Sequence, residues 1–307
     1  MMDRDTSPAD RYRYEDDSSS ARDRFYDIEV CEGDRYRSVR PRATETEPQD
    51  GQGRDSDAAI PFARGRATLY ERDHGHRLTL SQIHALRDLA KFRVIAVLDL
   101  AQFVYRDRDE RAAPEVRDLV RQGLVRTGVF EGPEGIPREL ATLTPRGHRL
   151  IRANKLVGDE QSTYSGFVKP KEANHDADLY RMYQEEVARI TSEGGQPIRV
   201  VLDYELKKKV NRDIVRYGGS ARPEIAARHG LIYVRGKIPI PDLQIEYATR
   251  DGDIARISLE LVTEHYRGGS VGEKVRAGFK LYTPHGETDR LRRVLDQQEL
   301  TAEILSL

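Results

Sequence analysis

The sequence predicts a mixed α+β chain: two folded units behind a long charged tail. Three observations carry this. Residues 1–76 hold almost no aliphatic runs. Between Leu78 and Leu156 apolar residues recur three and four apart, then alternate. From His175 onward a helical stripe gives way to alternating segments, above all Leu243–Tyr247 and Ile257–Val262. The 307 residues suffice for two ordinary domains.

Composition narrows the classes. Hydrophobic residues make up 37% and charged residues 34%, which suits modest cores with solvated ends. The net charge of −1 advertises no global basic field, so nucleic-acid binding must rest on local patches. Cys31 is the one cysteine, which excludes an intrachain disulfide. No Cys/His group has zinc spacing. No apolar run approaches a membrane span, and the charged N-terminus does not read as a secretory leader. A reducing, cytoplasmic setting with no membrane partner is the expectation.

Residues 1–76 are rich in Asp, Arg, Ser, Pro and Gly. Such a segment cannot bury enough apolar area to offset chain entropy, so disorder is expected. Arg and Tyr interleave at Arg11–Tyr14 and Arg35–Arg37. That pair of side chains stacks on bases and meets phosphates, but the scattered acids dilute the electrostatic attraction.

The first unit spans 77–156. Thr79 or Ser81 caps a helix through Leu80, Ile83, Leu86, Leu89 and Ala90. A second helix covers about 97–105. A third covers about 112–122, with Val116, Leu119 and Val120 inward and Gly123 as its stop. Leu124–Phe130 alternates as a strand, a Gly/Pro-rich tip follows at 131–137, and a return strand runs about 139–143. Thr144-Pro145 opens a fourth helix. Three helices, a two-stranded wing and a closing helix resemble a winged helix-turn-helix. In that arrangement the third helix enters the major groove. Arg106, Arg108, Arg111, Arg117 and Arg121 on it or its lead-in are then the candidate DNA contacts. Asp107, Asp109, Glu110 and Glu115 lie among them and Glu131 and Glu134 lie on the wing tip, which keeps protein contact open as the use of the same surface.

Residues 157–174 read as a linker, and 175–307 as the second unit. A helix is expected over 176–193, a buried strand over 198–202, and a helix or extended arm over 204–217. That last segment carries Lys207, Lys208, Lys209, Arg212 and Arg216, the densest basic run, suited to a phosphate backbone or to a solvated face. A strand is expected over 231–234, then the hairpin 243–262 turning at Asp251-Gly252-Asp253, a helix over 271–282, a helix near 288–297, and an edge strand or partner-binding tail over 300–307.

Asp242 and Glu260 flank the hairpin. If its strands pair, the two carboxylates face one space. Convergent hard oxygen ligands are what Mg2+ needs, although charged residues at strand ends are by default solvated or paired.

Pro241-Asp242 followed by Leu259-Glu260-Leu261-Val262 resembles the PD-(D/E)XK motif of the restriction-endonuclease-like fold. Together with the winged unit, His175 opening the next helix, and Lys280-Leu281-Tyr282, the segment 78–283 resembles the replication-relaxation family of plasmid and mobile-element proteins. The resemblance implies double-stranded DNA as partner, with other replication or mobilisation proteins, and allows a homodimer. It implies Asp242 and Glu260 as metal ligands for Mg2+. It implies Glu186, with Glu185 as the alternative, as an accessory acid. The chain departs from the pattern where the motif lysine should stand. Val262 occupies that position and cannot offset charge on a phosphorane. Lys274 or Lys280 from the following helix is the candidate substitute, with Glu264 and His265 nearby. A DNA-binding protein with a degenerate nuclease-like domain is therefore expected. A metal-dependent nickase and a protein-interaction adaptor are the alternatives.

Overall fold

The computed structural model describes residues 65–307 other than 106–108, 133–134, 168, 264–267 and 285. The expectations for residues 1–64 and for Glu264 and His265 lie outside the described residues. Among the described residues no helix is long and apolar enough to cross a membrane.

The fold begins inside the segment expected to be disordered. Strands β1 (Arg66–Glu71) and β2 (His74–Thr79) pair antiparallel. Ala67, Leu69 and Glu71 are buried in alternation, and Leu78 joins the same core. The composition of the tail hides this short period-two pattern, so the boundary at 76 is corrected. Glu71, placed inward, is satisfied by Arg149 at 2.7 Å and Arg146 at 3.6 Å.

Helix α1 (Leu80–Lys91) is capped by Thr79, whose hydroxyl and backbone exchange hydrogen bonds with Gln82. Strand β3 (Ile95–Ala96) and helix α2 (Val97–Val104) follow. Helix α3 (Asp109–Arg121) ends before Gly123, which takes φ +70°. Val116 and Leu119 are buried as expected, but Val120 is turned partly outward. Strands β4 (Val125–Glu131) and β5 (Pro137–Leu143) form the expected hairpin, and β3 adds to β5 in the order β3-β5-β4. Thr144 caps α4 (Pro145–Ala153), with Pro145 at its first position.

The linker reading of 157–174 does not hold. The Tyr164 N–H donates to the Ala90 carbonyl, Gln161 hydrogen-bonds both backbone groups of Val200, and Phe167 packs on Phe130. Pro170 opens α5 (Pro170–Ser192), six residues before the expected start. Three ion pairs tie this helix to the first unit. Arg181 binds the buried Asp99 at 2.7 Å, Arg138 meets Asp178 at 2.7 Å, and Arg93 meets Asp176 at 3.5 Å.

Strand β6 (Gln196–Leu202), helix α6 (Asp203–Tyr217), a 3-10 turn at Gly219–Ala221 and helix α7 (Arg222–Arg228) come next. The strand expected over 231–234 is absent. Only an isolated bridge joins Val234 to Lys237. Strands β7 (Leu243–Ala248) and β8 (Ile254–Leu261) form the expected hairpin, with Gly252 at φ +87°. The helix expected over 271–282 is really two elements, α8 (Gly268–Arg276) and β9 (Lys280–Thr283). Gly278, at φ +74°, ends the helical run, and the Lys280–Thr283 backbone pairs parallel with β8. Helix α9 (Thr288–Asp296) and edge strand β10 (Ile304–Ser306) complete the chain.

The five-stranded sheet runs β10-β9-β8-β7-β6. Its β6/β7 and β7/β8 pairs are antiparallel, and β8/β9 and β9/β10 are parallel, so β7 alone runs against the rest. Both faces are covered. Leu259, Leu261 and Tyr282 share a core with Leu179, Tyr183 and Ile190 of α5. Val262 and Leu281 pack with Val271, Leu291 and Leu295 of α8 and α9. Val201 packs with Leu206, Val210 and Ile225 of α6 and α7. Neighbouring residues on a strand point to opposite faces, so Glu260, between Leu259 and Leu261, belongs to the α8 side.

Candidate functional site

The register of β7 on β8 sets Leu243 opposite Leu259. That pairing places Asp242, one residue ahead of β7, beside Glu260. The Asp242 N–H donates to Glu260 Oε2 at 3.2 Å, and the Leu261 N–H donates to Asp242 Oδ2 at 2.8 Å. The convergence expected of these two acids is present.

Lys274 completes the group from α8. Its Nζ lies 2.8 Å from Glu260 Oε1 and donates to the Ile240 carbonyl at 2.6 Å. Glu260 is 0% exposed and Lys274 16%. A buried carboxylate needs such a partner, because leaving it unpaired costs several kcal/mol. Val262, at the position of the motif lysine, instead fills the apolar cluster under α8 and α9.

His175, in the second turn of α5, approaches Asp242 from another direction, with Nε2 3.5 Å from Oδ1. Burial opposes the imidazolium. The hydrogen bond and charge of Asp242, with the charges of Asp176 and Asp178, outweigh it and raise His175 to about 9. Burial pushes the neighbouring Asp176 up to about 6, against the pull of Arg93 and His175.

Glu186 and Lys280 stand elsewhere. Lys280 lies on β9, not on the helix that follows the hairpin. Its Nζ is 3.1 Å from Glu186 Oε2, on the α5 face of the sheet. The Tyr282 hydroxyl donates to the same oxygen at 2.7 Å, and Arg189 Nε donates to Oε1 at 2.8 Å. Burial works against the Glu186 carboxylate, but Arg189, Tyr282 and Lys280 hold its pKa below the ordinary value. The sheet therefore separates the two candidate clusters. Asp242, Glu260 and Lys274 form one, and Glu186, Lys280, Tyr282 and Arg189 form the other. The parts played by Arg189 and Tyr282 were not read from the sequence. Arg189, three residues from Glu186 on one helix, was the available signal.

The residues do not fit Mg2+ as arranged. Both Glu260 oxygens face protein donors, Asp242 is held by the Leu261 amide and His175, and no group of three His, Cys, Asp or Glu among the described residues could hold a metal ion.

The expected DNA-contacting residues divide. Arg106 and Arg108 lie outside the described residues. Arg111 is exposed, 4.0 Å from Glu110. Arg117 donates back to the Ala113 carbonyl, and Arg121, 76% exposed, pairs with Asp118. A groove of about 710 Å³ runs beside this face of α3, lined by Val97, Pro114, Val116, Arg117, Val120 and Arg121 among others. On α6, Lys207 pairs with Asp203 at 2.7 Å and Lys209 pairs with Glu205. These two are tethered along their own helix, and Lys208 between them is exposed. Compared with known proteins, the chain matches no family model, no curated protein and no solved structure.

Proposed function

We propose that the chain is a DNA-binding protein of a plasmid or other mobile element, serving replication, relaxation or mobilisation. In this reading residues 77–156 act as a winged helix-turn-helix on double-stranded DNA. Residues 175–307 keep a nuclease-like fold that has lost its metal chemistry. The observation that carries it is α3 lying ahead of the β4–β5 hairpin with Arg117 and Arg121 on its outer side. The sheet order, with one strand reversed, supports the nuclease-like part. Val262 in an apolar cluster and Glu260 closed by Lys274 support the loss of chemistry. Anisotropy titration of labelled duplex DNA at several salt concentrations tests the proposal. Affinity should fall as salt rises, because phosphate contacts release counterions. Absence of any salt-dependent duplex binding would overturn it.

A metal-dependent nickase is the second reading. It is favoured by the β7–β8 register, which sets the Asp242 and Glu260 carboxyl groups side by side. The apolar groove beside α3 favours the adaptor reading, in which the same surface binds protein.

A further inference from the structure

The segment inserted between β6 and β7 carries a second surface. Residues 203–237 hold nine Lys or Arg against four Asp or Glu. Helix α6 turns Leu206, Val210 and Asp213 inward. Its exposed positions are Lys207, Lys208, Asn211, Arg212, Val215, Arg216 and Tyr217, and none of these is acidic. Lys208, Arg212 and Arg216 recur every four residues, so they form one stripe along the helix.

Aromatic and aliphatic groups lie exposed in the same layer. Val215 is 87% exposed, Tyr217 45% and Tyr233 40%. The guanidinium of Arg228 lies 4.7 Å from the Tyr217 ring centroid and that of Arg216 lies 5.3 Å from it. Leu231 and Val234, on either side of Tyr233, pack with Leu206, Val210 and Ile225, which anchors the 231–234 loop to α6 and α7. Arg212, Arg216 and Arg235 face no carboxylate in a recorded ion pair among the described residues. Exposed cations beside exposed rings are what unpaired bases and their phosphates need: charge for the backbone, π-faces for the bases. A closed duplex offers the phosphates but hides its base faces.

We infer that the outer surface of α6, α7 and the 231–235 loop binds single-stranded nucleic acid. The inference rests on its own residues and not on the winged unit. The test is anisotropy of the full chain with a labelled oligothymidylate and with a duplex of equal length. Tyr217→Leu/Tyr233→Leu should weaken single-strand binding by roughly tenfold or more and leave duplex binding within about twofold. Arg212→Gln/Arg216→Gln should flatten the salt dependence of single-strand binding by roughly one to one and a half in log–log slope. The second pair guards against a folding defect in the first, and thermal melting checks both. If the wild-type chain binds no single strand, or both double variants bind it as well as wild type, the inference fails. Loss of duplex binding in Arg117→Ala/Arg121→Ala reports on the winged unit alone, so the two readings fail separately.

Discussion

Lys274 Nζ sits 2.8 Å from Glu260 Oε1, under α8, where the carboxylate has no exposure. Under the proposed nuclease-like reading, this pair stands where a metal would be gathered. A lysine from a different element has closed on the acid, and the same ammonium is also held by the Ile240 carbonyl. The arrangement satisfies the buried charges and at the same time withdraws Glu260 from ligand duty.

Lys274→Met should therefore be strongly destabilising, because it strands a buried carboxylate. A loss of about 3–5 kcal/mol is expected from urea unfolding. Lys274→Met/Glu260→Gln should recover much of that loss. Equal stability of wild type and the single variant would show that the pair is not closed in solution.

The Glu186 cluster predicts an acid-sensitive fold. Its folded pKa is held below 4.5 by Arg189, Tyr282 and Lys280 acting against burial. The stabilisation is present above that ordinary value and is lost as pH falls through the folded pKa. Glu186→Gln should lower stability at neutral pH and show a shallower decline than wild type below about pH 4.5. Parallel acid limbs in urea titrations would count against this role.

Asp99 links α2 and β5 to α5. It is buried and receives both Arg138 and Arg181, at 3.1 and 2.7 Å. Asp99→Ala takes the acid from Arg181 and one of two acids from Arg138, which keeps Asp178, so a loss of up to about 3 kcal/mol is expected. Because the strut ties α2 and β5 to α5, limited proteolysis should open the 157–169 segment in the variant first. Unchanged cleavage there would show that the junction is held by other contacts.

For the winged unit, Arg117→Ala/Arg121→Ala should weaken duplex binding and lower its salt slope by up to about 1.8 if each residue meets a phosphate. Unchanged affinity and slope would move duplex recognition away from α3.

Much of the topology was legible because strong local signals agreed. Thr79, Thr144-Pro145 and Gly123 each marked a helix boundary that the structure contains. The alternation on either side of Gly252 located β7 and β8, and their pairing brought Asp242 to Glu260. Where the reading failed, composition or period misled. Ala67 and Leu69 were too few to stand out from a charged tail, although each is buried. Val271–Tyr282 read as one helix because its apolar spacing stays tolerable through Gly278, while only pairing with β8 makes Lys280–Thr283 a strand. That reading set Lys280 beside Glu260, whereas the structure places it across the sheet, beside Glu186. The side on which a residue falls depends on strand register, which one sequence does not state.

The proposed function entails binding DNA without cutting it. Supercoiled plasmid incubated with the full chain in Mg2+, Mn2+ or EDTA, beside Asp242→Ala, tests it most directly. The expected result is retarded, uncut plasmid in every lane, with wild type and variant alike. Metal-dependent relaxation by wild type that disappears in Asp242→Ala would contradict the claim and establish a nuclease served by Lys274.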